Sequence, residues 1–326
     1  MPNLPRIRNV RHLARDIAQF CPKLKRLVQL ERNWEVVEVR QLLIGVLEAL
    51  PPQQVQEFMD GKGRPFTIPD LDNVGSCFRR HSTTLRKIIL HDCADFNSTM
   101  IQIILVECPI LEHFNIDWTT NRNEHQLCIK LEDAVELPWA CTRIRDLGVT
   151  IAIPDQPLYH LADGVEPYNK RPAPIELSAE ETRQFELLET LYRQIGALKD
   201  LTSLSLQAIF FDPQGHRPMS KDPRHNSFPG LLSLGSQKTG RPGYLHHLGR
   251  LTKLKCLRGS VSAMTEETKE TVGIQETSWM EHHWPELVNA EFFTNESEPL
   301  SLPFLWLQQQ RGGEHKLELF RPSYIC

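Results

Sequence analysis

The sequence predicts an α/β fold built from repeated strand-and-helix units, and three observations predict it. A leucine pattern typical of a short strand recurs along the chain, similar corner segments precede its copies, and helical apolar spacing lies between them. One such unit cannot bury its apolar side alone, so neighbouring units must stack and share a core. A chain of 326 residues with 40% hydrophobic residues can supply that core.

The clearest strand pattern begins at Leu85 and has apolar residues at Ile88 and Leu90, followed by Cys93. This spacing matches L-x-x-L-x-L-x-x-N/C, the strand and turn of a leucine-rich repeat. The pattern returns at Leu111, and the distance from Leu85 lies inside the window typical of these repeats. Further copies are found at Ile144–Val149, Leu201–Leu206, Leu254–Leu257 and Leu287–Phe292.

Two kinds of corner precede these strands. Cys21–Leu24 parallels Cys108–Leu111, and Trp284–Leu287 is the same corner with tryptophan in place of cysteine. The segments 195–201 and 248–254 share a second form that contains glycine. Proline in the first form has no N–H and blocks continuation of a helix, so each corner is predicted to end a helix and start a strand.

Apolar residues at helical spacing predict the other half of each repeat. The predicted helices are Arg11–Phe20, Glu38–Leu50, Thr99–Glu107, Ala179–Leu198 and Thr265–Glu270. We therefore predict a leucine-rich-repeat solenoid, a horseshoe with irregular repeats of about 26–33 residues, as a single domain over residues 1–326. Residues 152–178 and 208–244 are rich in proline or in Gly, Pro, Ser and basic residues, and are predicted to be flexible loop insertions.

Composition and charge argue against several classes of function. The formal net charge of −4 gives no support to nucleic-acid binding, because a protein that binds nucleic acid must neutralise phosphates. No apolar run approaches the roughly 18–20 residues that span a bilayer, and residues 1–10 lack an apolar signal core. The eight cysteines form no CxxC pair, which favours a reducing compartment, the cytoplasm or the nucleus.

The residues that suggest chemistry are better explained by structure, so we expect no enzyme, no cofactor and no metal site. The pairs His246-His247 and His282-His283 lack the i, i+4 spacing of a zinc-binding helix. The cysteines at repeat turns are predicted to pack as small apolar residues; they are Cys21, Cys93, Cys108 and Cys141. Residues 235–240 place Lys238 before the second glycine, which is the wrong order for a phosphate loop. The basic loop 212–243 remains an alternative contact for an acidic partner or for nucleic acid.

Strand geometry predicts a partner-binding surface, because alternate side chains of each strand point away from the core. On this concave face the sequence places Lys87, Ile89 and His91, then His113, Asn115 and Asp117, then Arg145, Asp146 and Thr150, and last Ser203, Ser205 and Gln207. Trp118 follows the second strand and is predicted either to anchor a partner or to cap the core. The predicted partner is another protein.

The Cys-Pro-x-Leu-x-x-Leu corners and the segment Trp279–Leu287 resemble irregular leucine-rich-repeat proteins of fungi. Those belong to the ribonuclease-inhibitor-like superfamily and are often F-box proteins. The resemblance implies the substrate-recognition part of an SCF-type ubiquitin-ligase receptor, with a cullin–RING adaptor as a second partner. No recognisable F-box helix opens the chain, and Leu50–Val55 is only a superficial echo of one. A scaffold or regulator without ligase function is therefore the alternative.

Overall fold

The computed structural model contains two compact units, which are treated separately below. Unit 1 comprises Met1–Leu127 and Trp139–Ile144, and unit 2 comprises Cys128–Pro138 and Arg145–Cys326. The residues whose structure is described are 10–28, 36–60, 71–91, 97–117, 128–154, 179–211, 228, 230–235, 242–259, 272–291, 302–311 and 318–320. The prediction of one domain over 1–326 stays a prediction.

Helices and strands alternate along unit 1. Its elements are α1 (Val10–Phe20), β1 (Arg26–Val28), α2 (Val36–Ala49), β2 (Glu57–Asp60), α3 (Leu71–His81), β3 (Lys87–His91), α4 (Ser98–Glu107) and β4 (His113–Asp117). The strands pair in parallel in the order β1-β2-β3-β4. Parallel pairing requires a crossover between neighbouring strands, and the helices supply it. The predicted helices over Arg11–Phe20, Glu38–Leu50 and Thr99–Glu107 are confirmed within two residues at each end.

The core of unit 1 lies on one side of its strands. Phe58, Ile88 and Phe114 are register partners and are all buried. The ring of Phe58 meets the ring of Phe78 on α3 edge to face, with centroids 5.3 Å apart. The sequence separation between register partners changes from one strand pair to the next along β1 to β4, which agrees with the predicted irregular period.

Unit 2 continues the same alternation. Its elements are β5 (Ile129–Lys130), α5 (Leu131–Glu136), β6 (Asp146–Pro154), α6 (Ala179–Gly196), β7 (Ser203–Phe211), a 3-10 helix (Leu245–Arg250), β8 (Cys256–Gly259), α7 (Ile274–His283), β9 (Asn289–Glu291), α8 (Leu302–Gln310) and β10 (Glu318–Phe320). The parallel order is β6-β7-β8-β9-β10, and β5 pairs with β6. These features confirm the predicted α/β leucine-rich-repeat fold. The predicted helix Thr265–Glu270 lies outside the described residues, and none of the described helices is long and apolar enough to cross a membrane.

The predicted corners are confirmed by their backbone hydrogen bonds. In each corner, the N–H group of the leucine that opens the strand pattern donates to the carbonyl oxygen of the residue three positions earlier. The pairs are Leu24 to Cys21, Leu111 to Cys108, Leu201 to Leu198, Leu254 to Leu251 and Leu287 to Trp284, at 3.0–3.2 Å. Cys108 and Trp284 are both buried, so the two residue types fill the same kind of position. Cys21 is exposed, however, and the prediction that it packs as a small apolar residue is wrong; Cys93 lies outside the described residues.

The two predicted insertions differ from their predicted bounds. Strand β6 extends to Pro154 and β7 to Phe211, and the two strands pair along their whole length, so 152–154 and 208–211 belong to the sheet. Residues 155–178, 212–227, 229 and 236–241 lie outside the described residues. Asp146 pairs with Ser203, and Ser203 pairs with Cys256, so these register partners are much further apart in the sequence than those of unit 1. This is the extra length that the sequence predicted.

Part of the second predicted insertion packs into the core of unit 2. The ring of Tyr244 stacks on Tyr192 of α6 with centroids 4.9 Å apart, and Phe228 meets the same ring edge to face at 5.9 Å. The Tyr244 hydroxyl donates to the Phe185 carbonyl oxygen at 3.1 Å. Gly230 has a φ of +65°, and a Cβ atom at this position would overlap the Tyr244 ring. The rings of Phe228 and Tyr244 are therefore buried against α6, while flexibility of the insertion stays a prediction.

A close backbone approach at Gly196 gives the first testable prediction. A Cβ atom at this position would overlap the carbonyl oxygen of His247 in the 3-10 helix. We expect Gly196→Ala to lower the free energy of unfolding by about 1–3 kcal/mol, because the backbone that it meets cannot rotate away. Helix propensity alone favours alanine by up to about 1 kcal/mol, so the sign of the change separates the two effects.

The measurement is urea unfolding followed by circular dichroism. The exposed neighbour Ala197 supplies the control, and Ala197→Ser should leave the unfolding midpoint nearly unchanged. A Gly196→Ala variant more stable than the original chain would show that the 3-10 helix does not press on α6.

Candidate protein-binding surface

The outward side of strands β1 to β4 carries two rows of side chains, which the register defines. The polar row is Arg26, Glu57, Lys87 and His113. The apolar row lies two residues further along β1 to β3 and is Val28, Met59 and Ile89, and on β4 the polar Asn115 takes the same place. All eight side chains are half-buried or exposed, whereas the residues between the rows are buried in the core. The strands therefore present one open face in unit 1, as the alternation predicted.

Two ion pairs hold the charged side of this face in place. Arg26 Nε of β1 lies 2.8 Å from Glu57 Oε2 of β2. Arg86 Nη1, just before β3, lies 2.5 Å from Oε1 of Glu112, just before β4. Exposed pairs of this kind add little to stability, with a median of about 0–1 kcal/mol. Their effect is to neutralise both arginines and both carboxylates. Within the described part of the chain, Lys87 has no carboxylate within ion-pair distance.

The structure places most of the predicted surface residues of unit 1 as expected. Lys87, Ile89, His113 and Asn115 share the open face. His91 and Asp117 are register partners at the ends of β3 and β4. Trp118 lies outside the described residues, so its role as an anchor or a cap stays a prediction.

The corresponding face of unit 2 is partly covered. Asp146, Ser203 and Ser205 are half-buried, and Gln207 is half-buried beside Thr150, whose Oγ1 lies 3.5 Å from Gln207 Oε1. Thr150 itself is only 1% exposed. The prediction that Thr150 lies on an open binding surface is therefore wrong.

Burial on both sides of the strands explains this correction. Neighbouring residues of opposite orientation, such as Ile151 and Ala152 on β6 or Ala208 and Ile209 on β7, are all buried. Alternation of exposed and buried side chains ends where a second layer covers the sheet. Arg145, which precedes β6, remains exposed, and its carbonyl oxygen accepts from Thr202 N and Ser203 N. The open candidate surface is therefore larger in unit 1.

Sequence reasoning missed the residues that β2 contributes. Met59 and Glu57 complete both rows, yet β2 was not predicted because Val55 and Phe58 stand where the pattern expects leucine. Both are buried and serve the same packing role. The signal that identifies them is the distance in sequence from Phe58 to its register partner Ile88, which is close to one repeat.

Burial raises the pKa of three of the described thiols. Burial raises the pKa of the Cys108 thiol to about 12, with the charge of Glu107 acting in the same direction. Burial likewise raises the pKa of Cys141 to about 12 and that of Cys128 to about 11. A nucleophilic cysteine needs a lowered pKa, so these thiols suit packing. Among the described residues, no group of three or more His, Cys, Asp or Glu side chains is placed to hold a metal ion.

No family model and no curated protein matches this chain. Among solved structures, it is similar to the crystal structure of the Rad7 and Elc1 complex in yeast, with 13% identity, covering 90% of this chain and 76% of that one at a TM-score of 0.27. It is also similar to a leucine-rich-repeat protein of Leptospira interrogans, with 17% identity, covering 94% and 74% at a TM-score of 0.27. The assignment of the fold therefore rests on the strand register and burial pattern of the chain itself.

Proposed function

We propose that this chain binds another protein through the open face of strands β1 to β4. The observation that carries the proposal is the apolar row, because Val28, Met59 and Ile89 lie side by side on three paired strands and stay partly exposed. Contiguous apolar side chains rimmed by polar ones are typical of protein interaction sites. The ion pairs beside the row form such a rim.

Binding is proposed in preference to catalysis. The described cysteines with resolved shifts have raised pKa values, which disfavours the thiolate that nucleophilic catalysis needs. His81, the fully buried histidine of unit 1, uses both ring nitrogens in contacts with backbone groups. These observations support an interaction module, with no step of bond-making assigned to the chain.

In its finer form, the proposal makes the chain the substrate-recognition part of an SCF-type ubiquitin-ligase receptor. This form is supported by the resemblance of the corner segments to fungal F-box proteins with leucine-rich repeats. The alternative is a scaffold or regulator that binds its partner without a ligase. Recovery of a cullin–RING adaptor distinguishes the two.

The experiment is affinity purification of the tagged full chain from cells that express it, with mass spectrometry of the proteins that remain bound. The matched control is the same chain with Met59→Gln and Ile89→Thr, which make the apolar row polar while Gln keeps the length of Met and Thr keeps the β-branch of Ile. We expect one recurring protein that is lost with the double variant. Recovery of an adaptor with it supports the ligase receptor, and a recurring protein without the adaptor supports the scaffold. Partners that bind the variant equally well would contradict the proposed surface.

A further inference from the structure

We infer that the partner of this surface is a protein segment that presents apolar side chains next to carboxylates. The inference rests on the proposed function and names the chemistry of the ligand. It follows from the charge that remains after the internal ion pairs are formed and from where that charge lies relative to the apolar row.

Among the described side chains of the open face, the charge that remains is positive. Arg26 and Arg86 are neutralised by Glu57 and Glu112 across neighbouring strands. Lys87 remains, in register between Glu57 and His113. Lys25, the residue before Arg26 and β1, is also exposed. A ligand that carries negative charge is therefore favoured.

The positive charge and the apolar row are close enough to contact one ligand. Lys87 and Ile89 lie two residues apart on the same side of β3, which separates them by roughly 6–7 Å along the strand. Ile89 pairs in register with Met59, just as Lys87 pairs with Glu57 two residues earlier. Two apolar side chains therefore lie next to the lysine along the strands. Met59 is unbranched and adapts to different shapes, whereas Ile89 is stiff. A peptide with a carboxylate near two apolar side chains can contact Lys87 with the carboxylate and Met59 and Ile89 with the apolar side chains.

A nucleic acid fits this face less well than a protein does. Proteins that bind single strands stack bases on aromatic side chains. The described outward rows of β1 to β4 contain no Phe, Tyr or Trp. Met59 and Ile89 can instead contact the apolar residues of a peptide, and Lys87 can contact its acidic residues.

The probe is a random peptide library displayed on phage and selected on the immobilised full chain. We expect the enriched peptides to share one or two acidic residues beside large apolar ones. Synthetic copies are then titrated by fluorescence anisotropy. Lys87→Glu should weaken binding by about tenfold because attraction becomes repulsion, and Met59→Gln with Ile89→Thr should weaken it by about tenfold or more.

Three controls separate the charge from a general defect. Lys199→Glu makes the same change at an exposed turn of unit 2 and should leave the affinity unchanged. Lys87→Met keeps the aliphatic stem and should cost only about threefold. A peptide with its acidic residues changed to lysine should bind the Lys87→Glu variant more tightly than it binds the original chain.

The outcomes distinguish this inference from the proposed function. Enrichment of basic peptides, or of peptides indifferent to the three surface substitutions, would overturn the inference and leave protein binding standing. Tighter binding of single-stranded oligothymidylate than of any selected peptide would overturn it in favour of nucleic acid. Absence of any enrichment would also overturn it, while the proposed function is decided separately by purification with intact partners.

Discussion

Replacing His81 with leucine is expected to lower the free energy of unfolding by about 2–4 kcal/mol, because three backbone groups lose their partner. The His81 ring is fully buried at the end of α3. Its Nε2–H donates to the Leu47 carbonyl oxygen at 2.9 Å, and its Nδ1 accepts from Gln54 N at 3.3 Å and from Val55 N at 3.4 Å. These contacts require the neutral ring with its proton on Nε2. One side chain thereby joins α3 to the end of α2 and to the loop before β2.

The same contacts make stability depend on pH. Burial lowers the pKa of His81 below its ordinary value of 6.5; the bond to Leu47 opposes the shift, and the charge of Arg80 adds to it. The unfolded chain takes up a proton as pH falls through 6.5, whereas the folded chain does so only at lower pH. His81 therefore contributes stability that is present above about pH 6.5 and is lost below it, with a slope of at most about 1.4 kcal/mol per pH unit.

Urea unfolding at a series of pH values between 7.5 and 5.5 tests this expectation. His81→Gln keeps a donor and an acceptor but does not titrate, so its stability should fall less steeply with acid than that of the original chain. Burial also lowers the pKa of His247 in unit 2, so only the difference between the two chains is assigned to His81. His282→Gln, at an exposed position on α7, is the matched control. Parallel pH profiles for the original chain and His81→Gln would show that the pKa of His81 is the same in the folded and unfolded chain, which would contradict the effect of burial.

Trp284→Ala is expected to cost about 3–5 kcal/mol, because it removes a large and fully buried side chain from a repeat corner. The indole of Trp284 packs edge to face against Trp279, with ring centroids 5.5 Å apart. Its Nε1–H donates to the Leu248 carbonyl oxygen at 3.1 Å. Trp284→Phe should cost less, about 1–2 kcal/mol, because that oxygen also accepts from Leu251 N.

A third substitution at this corner, Trp284→Cys, tests whether cysteine and tryptophan are interchangeable there. Trp284→Cys restores the residue that other corners carry, but the cavity should still cost about 3 kcal/mol. Trp306→Ala on α8, where the ring is only half-buried, is the control and should cost less. Urea unfolding measures all four variants. A Trp284→Cys variant as stable as the original chain would show that the corner backbone, and not the volume of the indole, sets the stability of this repeat.

Several parts of the fold follow directly from the sequence. The L-x-x-L-x-L spacing at Leu85, Ile88 and Leu90 predicts a strand with one buried side, and all three residues are fully buried on the same side of the unit. Corner segments that match one another predict equivalent turns, and the hydrogen bonds of Cys108 and Trp284 are equivalent. These features are local, because the strand period of two and the turn geometry depend on neighbouring residues.

Other features depend on contacts between residues that are distant in the sequence. The strand of Glu57 and Met59 was missed because valine and phenylalanine replace leucine, and only the register with β3 shows that they serve as core residues. Tyr244 lies in a segment whose composition predicts a flexible loop, yet its ring stacks on Tyr192. Composition reports average tendencies, whereas a single buried aromatic contact can hold a segment in place.

The sequence alone determined the repeat architecture, the approximate period and the alternation that puts Lys87 and Ile89 on the open face of unit 1. Only the tertiary structure decided which parts of that predicted face stay open. Thr150 satisfies the same alternation as Ile89, yet it is buried because the second side of β6 is also covered. The ion pairs of Arg26 with Glu57 and of Arg86 with Glu112 also depend on the tertiary structure, because the partners are distant in the sequence. Periodicity reports which way a side chain points from its own strand, but exposure and charge depend on what packs or pairs with it from elsewhere in the chain.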